Sequence, residues 1–222
     1  PVAVITNGSL LYMPEVRHEL QAADAVLPSL DAGNAVLYRR INRPHPSLTF
    51  ERLTNGLIAF RKTYKKKLWI EVMLIGGVND TENALRELAA WMEQIQPDEV
   101  HVLQPTRPPA EAWVKPPDEA GLERAHKILG ETAKIILPAQ GTFDLSYDED
   151  LIKAITGIIT RHPMKEPELV DALNQWGPQI VRETLQQLAE SGRAQTVTRA
   201  GERFWSASGA YYAQTKHHQA SE

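Results

Sequence analysis

The sequence predicts an α/β protein, a parallel sheet wound with helices, followed by a small α+β domain. Three observations predict it. Over the first 137 residues, short apolar runs rich in β-branched residues alternate with longer helical patterns, the mark of β-α units. Each run is apolar on both faces or nearly so, as parallel strands covered by helices are. Beyond Leu137 the periodicity changes, and the order becomes three helices and a hairpin.

Taken in order, the strands fall at 2–6, 25–30, 68–75, 100–104 and 134–137, and the helices between them at 14–23, 50–64, 82–94 and 118–129. In the third helix Leu85, Leu88, Ala89 and Met92 recur at helical spacing and make one packing face. Thr81 precedes it as an N-cap, with Glu82 and Asn83 in the first turn. Residues 138–150 hold Pro, Gln, Gly, Ser and four acids with little periodicity and read as a linker. Helices at 151–160, 166–174 and 178–191 follow, then short strands at 194–198 and 203–206 around Ala200-Gly201. That order is winged-helix-like over 151–213, with a polar, flexible tail at 214–222.

Composition narrows the chemistry. The chain has 222 residues, 24 basic and 28 acidic side chains, a net charge of -4 and no cysteine. It is long enough to bury a core without disulfide or metal staples. Without cysteine it has no disulfide, no thiolate nucleophile and no ligand for zinc-thiolate or iron–sulfur sites. No apolar stretch approaches the roughly 20 residues of a membrane span, so a soluble, cytoplasmic protein with no membrane partner is expected. Pro1, followed directly by a strand pattern, leads us to expect a piece of a longer protein.

Reactive groups of parallel sheets gather where strands end and βα loops begin. Those ends read Thr6-Asn7-Gly8-Ser9, Ser29-Leu30-Asp31, Gly76-Gly77-Val78-Asn79-Asp80 and Gln104-Pro105-Thr106-Arg107. Any one is an ordinary turn; four in succession converge on one mouth. Glu71 is sharper. Period-two alternation sets it with Trp69 and Met73, opposite Ile70, Val72 and Leu74. If the aliphatic face lies under helices, Glu71 faces the cleft, where a carboxylate needs a partner or a ligand. Two basic, proline-rich loops, 38–46 with Arg40 and Arg43 and 106–109 with Arg107, leave the same side and suit phosphate or carboxylate groups of a substrate. Lys65-Lys66-Lys67, at the opposite end, reads as a solvated turn.

In this order the strings resemble a known family. The segments 1–11, 27–33, 40–44, 71–74 with 77–80, and 107–111 are similar to radical S-adenosylmethionine (radical SAM) proteins, the prokaryotic Fe–S oxidoreductases related to the wybutosine-synthesis radical SAM enzyme. The resemblance covers most of residues 1–137 and implies the C-terminal part of a TIM-like, partial parallel β/α barrel. It implies S-adenosylmethionine and a [4Fe-4S] cluster in the intact parent, reductive cleavage to a 5′-deoxyadenosyl radical, and an inactive fragment here. The family's CxxxCxxC segment is absent, so no metal ligand is expected in this chain. By position, the resemblance implies cofactor contacts at Asn7, Ser29, Asp31, Glu71, Leu103 and Gln104. It names no catalytic residue and no substrate.

The predicted recognition helix 178–191 offers one arginine against two acids, and residues 151–222 carry 8 basic and 7 acidic side chains. That is a poor footprint for phosphate binding, though Arg193, Arg199 and Arg203 leave room for a weak RNA or DNA contact. The alternative function is therefore a nucleic-acid-binding winged-helix protein with a ligand-sensing barrel remnant. A cluster-free barrel enzyme using Glu71 and Asp31 as acid and base ranks last, since no Lys or His sits at a strand end beside them. Strand 2–6 at a sheet edge invites dimer pairing.

Overall fold

The computed structural model describes residues 1–136, 151–199 and 201–210. The predicted linker 138–150, Leu137, Ala200 and the tail lie outside them. The described residues form two compact units, one of 1–105 with 115–136 and one of 106–114 with 151–199 and 201–210.

The first unit runs β1 (Ala3–Thr6), α1 (Pro14–Glu19), a 3-10 turn Leu20–Ala22, β2 (Ala25–Pro28), α2 (Ala35–Asn42), α3 (Phe50–Thr63), β3 (Lys67–Met73), α4 (Glu82–Ile95), β4 (Glu99–Leu103), α5 (Glu119–Leu129) and β5 (Ala133–Ile135). The five strands are parallel, in the order β1-β2-β3-β4-β5. Each right-handed β-α-β step in a sequential sheet moves the same way, so the helices collect on one face. It is the winding that β/α barrels use. Val26, Leu68, Ile70, Val72, Val100 and Val102 are enclosed against Leu53, Leu57, Phe60, Leu85, Leu88 and Leu129. Each such side chain contributes about 1.5–3 kcal/mol.

The other face keeps the alternate residues. Trp69, Glu71, Met73, Glu99, His101 and Leu103 are half-buried, and Ile5 of β1 is 71% exposed. α4 follows its sequence pattern: Thr81 caps it by accepting from the Ala84 N–H, and Leu85, Leu88 and Met92 are buried.

Four details differ from the sequence reading. Residues 38–42 are not loop but the last turns of α2, because Asn34 caps that helix by accepting from the Val36 and Leu37 N–H groups, and no Gly or Pro interrupts it before Pro44. The chain leaves α2 through Arg43, whose φ of 46° is left-handed. The lysine run is not simply solvated: Lys66 Nζ donates to the Ala22 and Ala23 carbonyls, and Lys67 opens β3 over the Trp69 ring. Arg107 falls in the second unit.

That unit holds α6 (Leu151–Arg161), β6 (Met164–Lys165), α7 (Glu166–Ala172), α8 (Pro178–Glu190), β7 (Ala194–Arg199) and β8 (Glu202–Ala207), with an antiparallel sheet ordered β6-β8-β7. The two-residue strand β6 was not foreseen; it is too short to carry a period. Gly201, at φ 79°, supplies the positive φ the hairpin turn needs. Ile155, Ile159, Leu169, Leu173, Val181 and Leu185 are its enclosed centre.

Candidate functional site

The carboxyl ends of β1, β2, β3 and β4 stand side by side, and the loops leaving them are tied together by polar side chains. Asp31 is the main tie. One of its oxygens accepts from the Met73 N–H at 2.7 Å and the other from Asn42 Nδ2 at 2.6 Å, joining the β2 loop to the end of β3 and the end of α2. Asn79, fully buried, donates to the Asp31 and Met73 carbonyls, each at 2.8 Å, and accepts from the Ile75 N–H at 2.6 Å. Burial pushes the Asp31 carboxyl above its ordinary range, against the pull of its two hydrogen bonds.

Ser29 stands level with Glu71, and Leu30 N–H bonds the Glu71 carbonyl at 2.9 Å. Glu71 is level with His101 on β4, and His101 with Lys134 on β5. Ser29, Glu71, His101 and Lys134 therefore form one row across the open face. Burial raises the Glu71 carboxyl, His101 opposes the rise, and the Asp31 charge adds to it. One row lower, Trp69 stacks on His101 with centroids 5.2 Å apart. Glu99 accepts from His101 Nε2 at 2.9 Å and pairs with Lys134 Nζ at 2.5 Å. Those contacts hold Glu99 below the usual carboxylate range, Lys134 first and His101 second.

The remaining site residues fall as follows. Asn7 is exposed at the end of β1, its side chain accepting from the Ser9 N–H at 3.0 Å. Leu103 and Gln104 are half-buried at the end of β4. Arg40 and Arg43 are exposed on α2 and just after it. Asn7, Ser29, Asp31, Glu71, Leu103 and Gln104 thus share one end of one sheet. Arg107 belongs to the other unit, near His162, whose imidazole burial and then the Arg107 charge push down.

His101, Glu99 and the anchoring role of Asn79 escaped the sequence reading, which set Trp69 on the face of Glu71 without giving it a role. The sequence reading looked for Lys or His at the strand ends and found none there; His101 lies within β4 rather than at its end, directly across from Glu71. The signal was present, since His101 interrupts Val100 and Val102 as Glu71 interrupts Ile70 and Val72. Among the described residues no group of three metal-ligating side chains occurs, and no helix is long and apolar enough to cross a membrane.

No family model matches the chain. It is 33% identical over 200 residues to a protein named GTPase Obg from Brachyspira hyodysenteriae, across 87% of this chain but 29% of that protein. It is 33% identical over 181 residues to a UPF0026 protein from Methanocaldococcus jannaschii, across 78% of this chain and 56% of that one. The chain thus spans less than two thirds of either relative. Two solved structures align over 60% of the chain. One is a domain of pyruvate-formate lyase-activating enzyme from Bacteroides vulgatus (TM-score 0.48, 19% identity, 79% of that chain). The other is a radical SAM methyltransferase from Sphaerobacter thermophilus (TM-score 0.49, 24% identity, 39% of that chain).

Proposed function

We propose that this chain carries the later strands of a radical SAM barrel and that its open sheet face binds S-adenosylmethionine. The observation that carries the reading is the coincidence of the ordered strand-end segments with one mouth, where Ser29 and Glu71 stand level on neighbouring strands. The residues fit the cofactor. Ser29 and Gln104 offer hydrogen bonds for ribose and adenine, Leu103 an apolar surface, and Glu71 an anion for the cationic part of the ligand. Asn7 closes the β1 side. Asp31 acts through geometry, holding the loops. The [4Fe-4S] cluster does not fit this chain, which has no thiolate to hold it. A cluster held outside this chain would supply the radical chemistry together with the S-adenosylmethionine bound here, while the residues of this chain bind, orient and shield that cofactor.

Equilibrium dialysis against labelled S-adenosylmethionine tests this. Saturable binding weakened by Ser29→Ala and Glu71→Gln supports the reading, and no binding, or binding indifferent to both, contradicts it. Incubation with iron and sulfide should leave the chain without cluster absorbance.

For the second unit, helix, strand, two helices and a hairpin suggest a winged-helix domain, which we read as a docking module. Four of its cations are engaged: Arg182 and Arg203 pair with Glu166, Lys165 with Glu202, and Arg199 donates to the Val114 carbonyl. Nucleic-acid binding is the second reading, and a gel shift abolished by salt would favour it. The exposed edge strand β1, with Val2 and Ile5, supports pairing of two copies, measurable by sedimentation. The GTPase name of one relative finds no GxxxxGK[ST] segment in these 222 residues.

A further inference from the structure

Between the last turns of α2 and the start of α3 lies a cavity of about 160 Å³ whose walls include Tyr38, Arg39, Pro44, His45, Phe50 and Glu51. We propose that it binds a small oxyanion, a carboxylate or phosphate group, through the Tyr38 hydroxyl and the Arg39 guanidinium. The proposal is independent of the S-adenosylmethionine reading.

Tyr38 carries the argument. The residue is only 5% exposed, and its ring packs on Phe50 with centroids 5.8 Å apart. Its hydroxyl has no hydrogen-bond partner among the described residues, whereas a buried polar group normally finds one. No fully enclosed side-chain oxygen or nitrogen among those residues lacks a partner. The Tyr38 oxygen is therefore not fully enclosed, and Tyr38 is one of the residues that line this cavity. Burial raises the phenol pKa, so at neutral pH the hydroxyl is a donor in need of an acceptor.

The surroundings favour an anion as that acceptor. Arg39 makes no ion pair or hydrogen bond among the described residues, and its fork suits carboxylate and phosphate oxygens. His45 uses Nδ1 on Ser47, at 2.8 Å from its hydroxyl, which leaves Nε2 available. The wall also includes the N-terminus of the 14-residue helix α3, the positive end of its dipole. Glu51 is the one carboxylate present, and it is committed: its own N–H and the Thr49 hydroxyl hold it below the usual range, with Arg39 adding to that. Pro44 and Pro46 stiffen the opposite wall.

The test is an amide NMR titration with inorganic phosphate and, separately, with acetate, at ionic strength held constant by sodium chloride. We expect saturable shifts of the Tyr38, Arg39 and Phe50 amides in at least one arm, and the arm that saturates names the source. Tyr38→Phe keeps the ring on Phe50 and removes only the donor. It should weaken binding about tenfold while the anion-free protein melts no lower than the wild type. Absence of saturation in both arms, or undiminished affinity in Tyr38→Phe, overturns the proposal. If that variant does not fold, Arg39→Gln at the exposed rim decides: weaker binding supports the site and unchanged binding overturns it.

Discussion

Asp31 and Glu71 are neighbouring carboxylates with different work. Asp31 has both oxygens on groups that set the loop geometry, so Asp31→Ala leaves the Met73 N–H and the Asn42 amide without their acceptor. At about 1.5–3 kcal/mol for each hydrogen bond to a charged group, urea denaturation should show a loss of about 3 kcal/mol or more. Glu71 has no such anchor. Burial raises its pKa in the fold, so its stabilising contribution is complete below its unfolded pKa and is lost as pH rises through the folded value. Glu71→Gln should therefore raise the melting temperature at pH 7, with the gain vanishing at pH 3.5, where the wild-type carboxyl is protonated in both states. A gain independent of pH would mean that Glu71 does not titrate as its burial implies.

At the scale of elements, α2 is the piece that shapes the mouth, and it is held at its start. Asn34 caps it, and Asn34→Ala should cost about 1 kcal/mol. Just before it, Gly33 runs so close to α4 that an added Cβ would lie 2.4 Å from Glu87 Cβ and 2.6 Å from its backbone carbon. Gly33→Ala should destabilise the first unit by about 1–3 kcal/mol through forced displacement of that contact, read as a lower urea midpoint with unchanged slope. α2 is also the element the sequence hid. Its apolar face, Ala35, Leu37 and Tyr38, is short, and the adjoining Arg39, Arg40, Arg43 and Pro44 gave the segment the look of a basic, proline-rich loop. The strands were legible because burial by helices leaves Val26, Ile70 and Val102 no choice of residue type. The site was legible one strand at a time. Ser29 and Glu71 announce themselves as polar breaks, but their level placement with His101 is a matter of register between strands, which no single strand encodes. Asn79 looked like turn chemistry for a related reason: two of its three hydrogen bonds are local, to Met73 and Ile75, and only the third reaches a distant segment, at Asp31.

In the first unit, sequential winding places the helices on one side of the sheet and leaves a second face that carries Trp69, Glu71, Glu99 and His101. A face of that kind costs desolvation unless something polar or cationic lies on it, and the strand-end segments that resemble radical SAM proteins open onto the same end. The most direct test of this account is an amide NMR titration of the chain with S-adenosylmethionine. Shifts that saturate and cluster at Ser29, Glu71, His101, Leu103 and Gln104, leaving α8 and the β7–β8 hairpin unmoved, are the predicted result. No saturable shift, or shifts confined to the second unit, would contradict it.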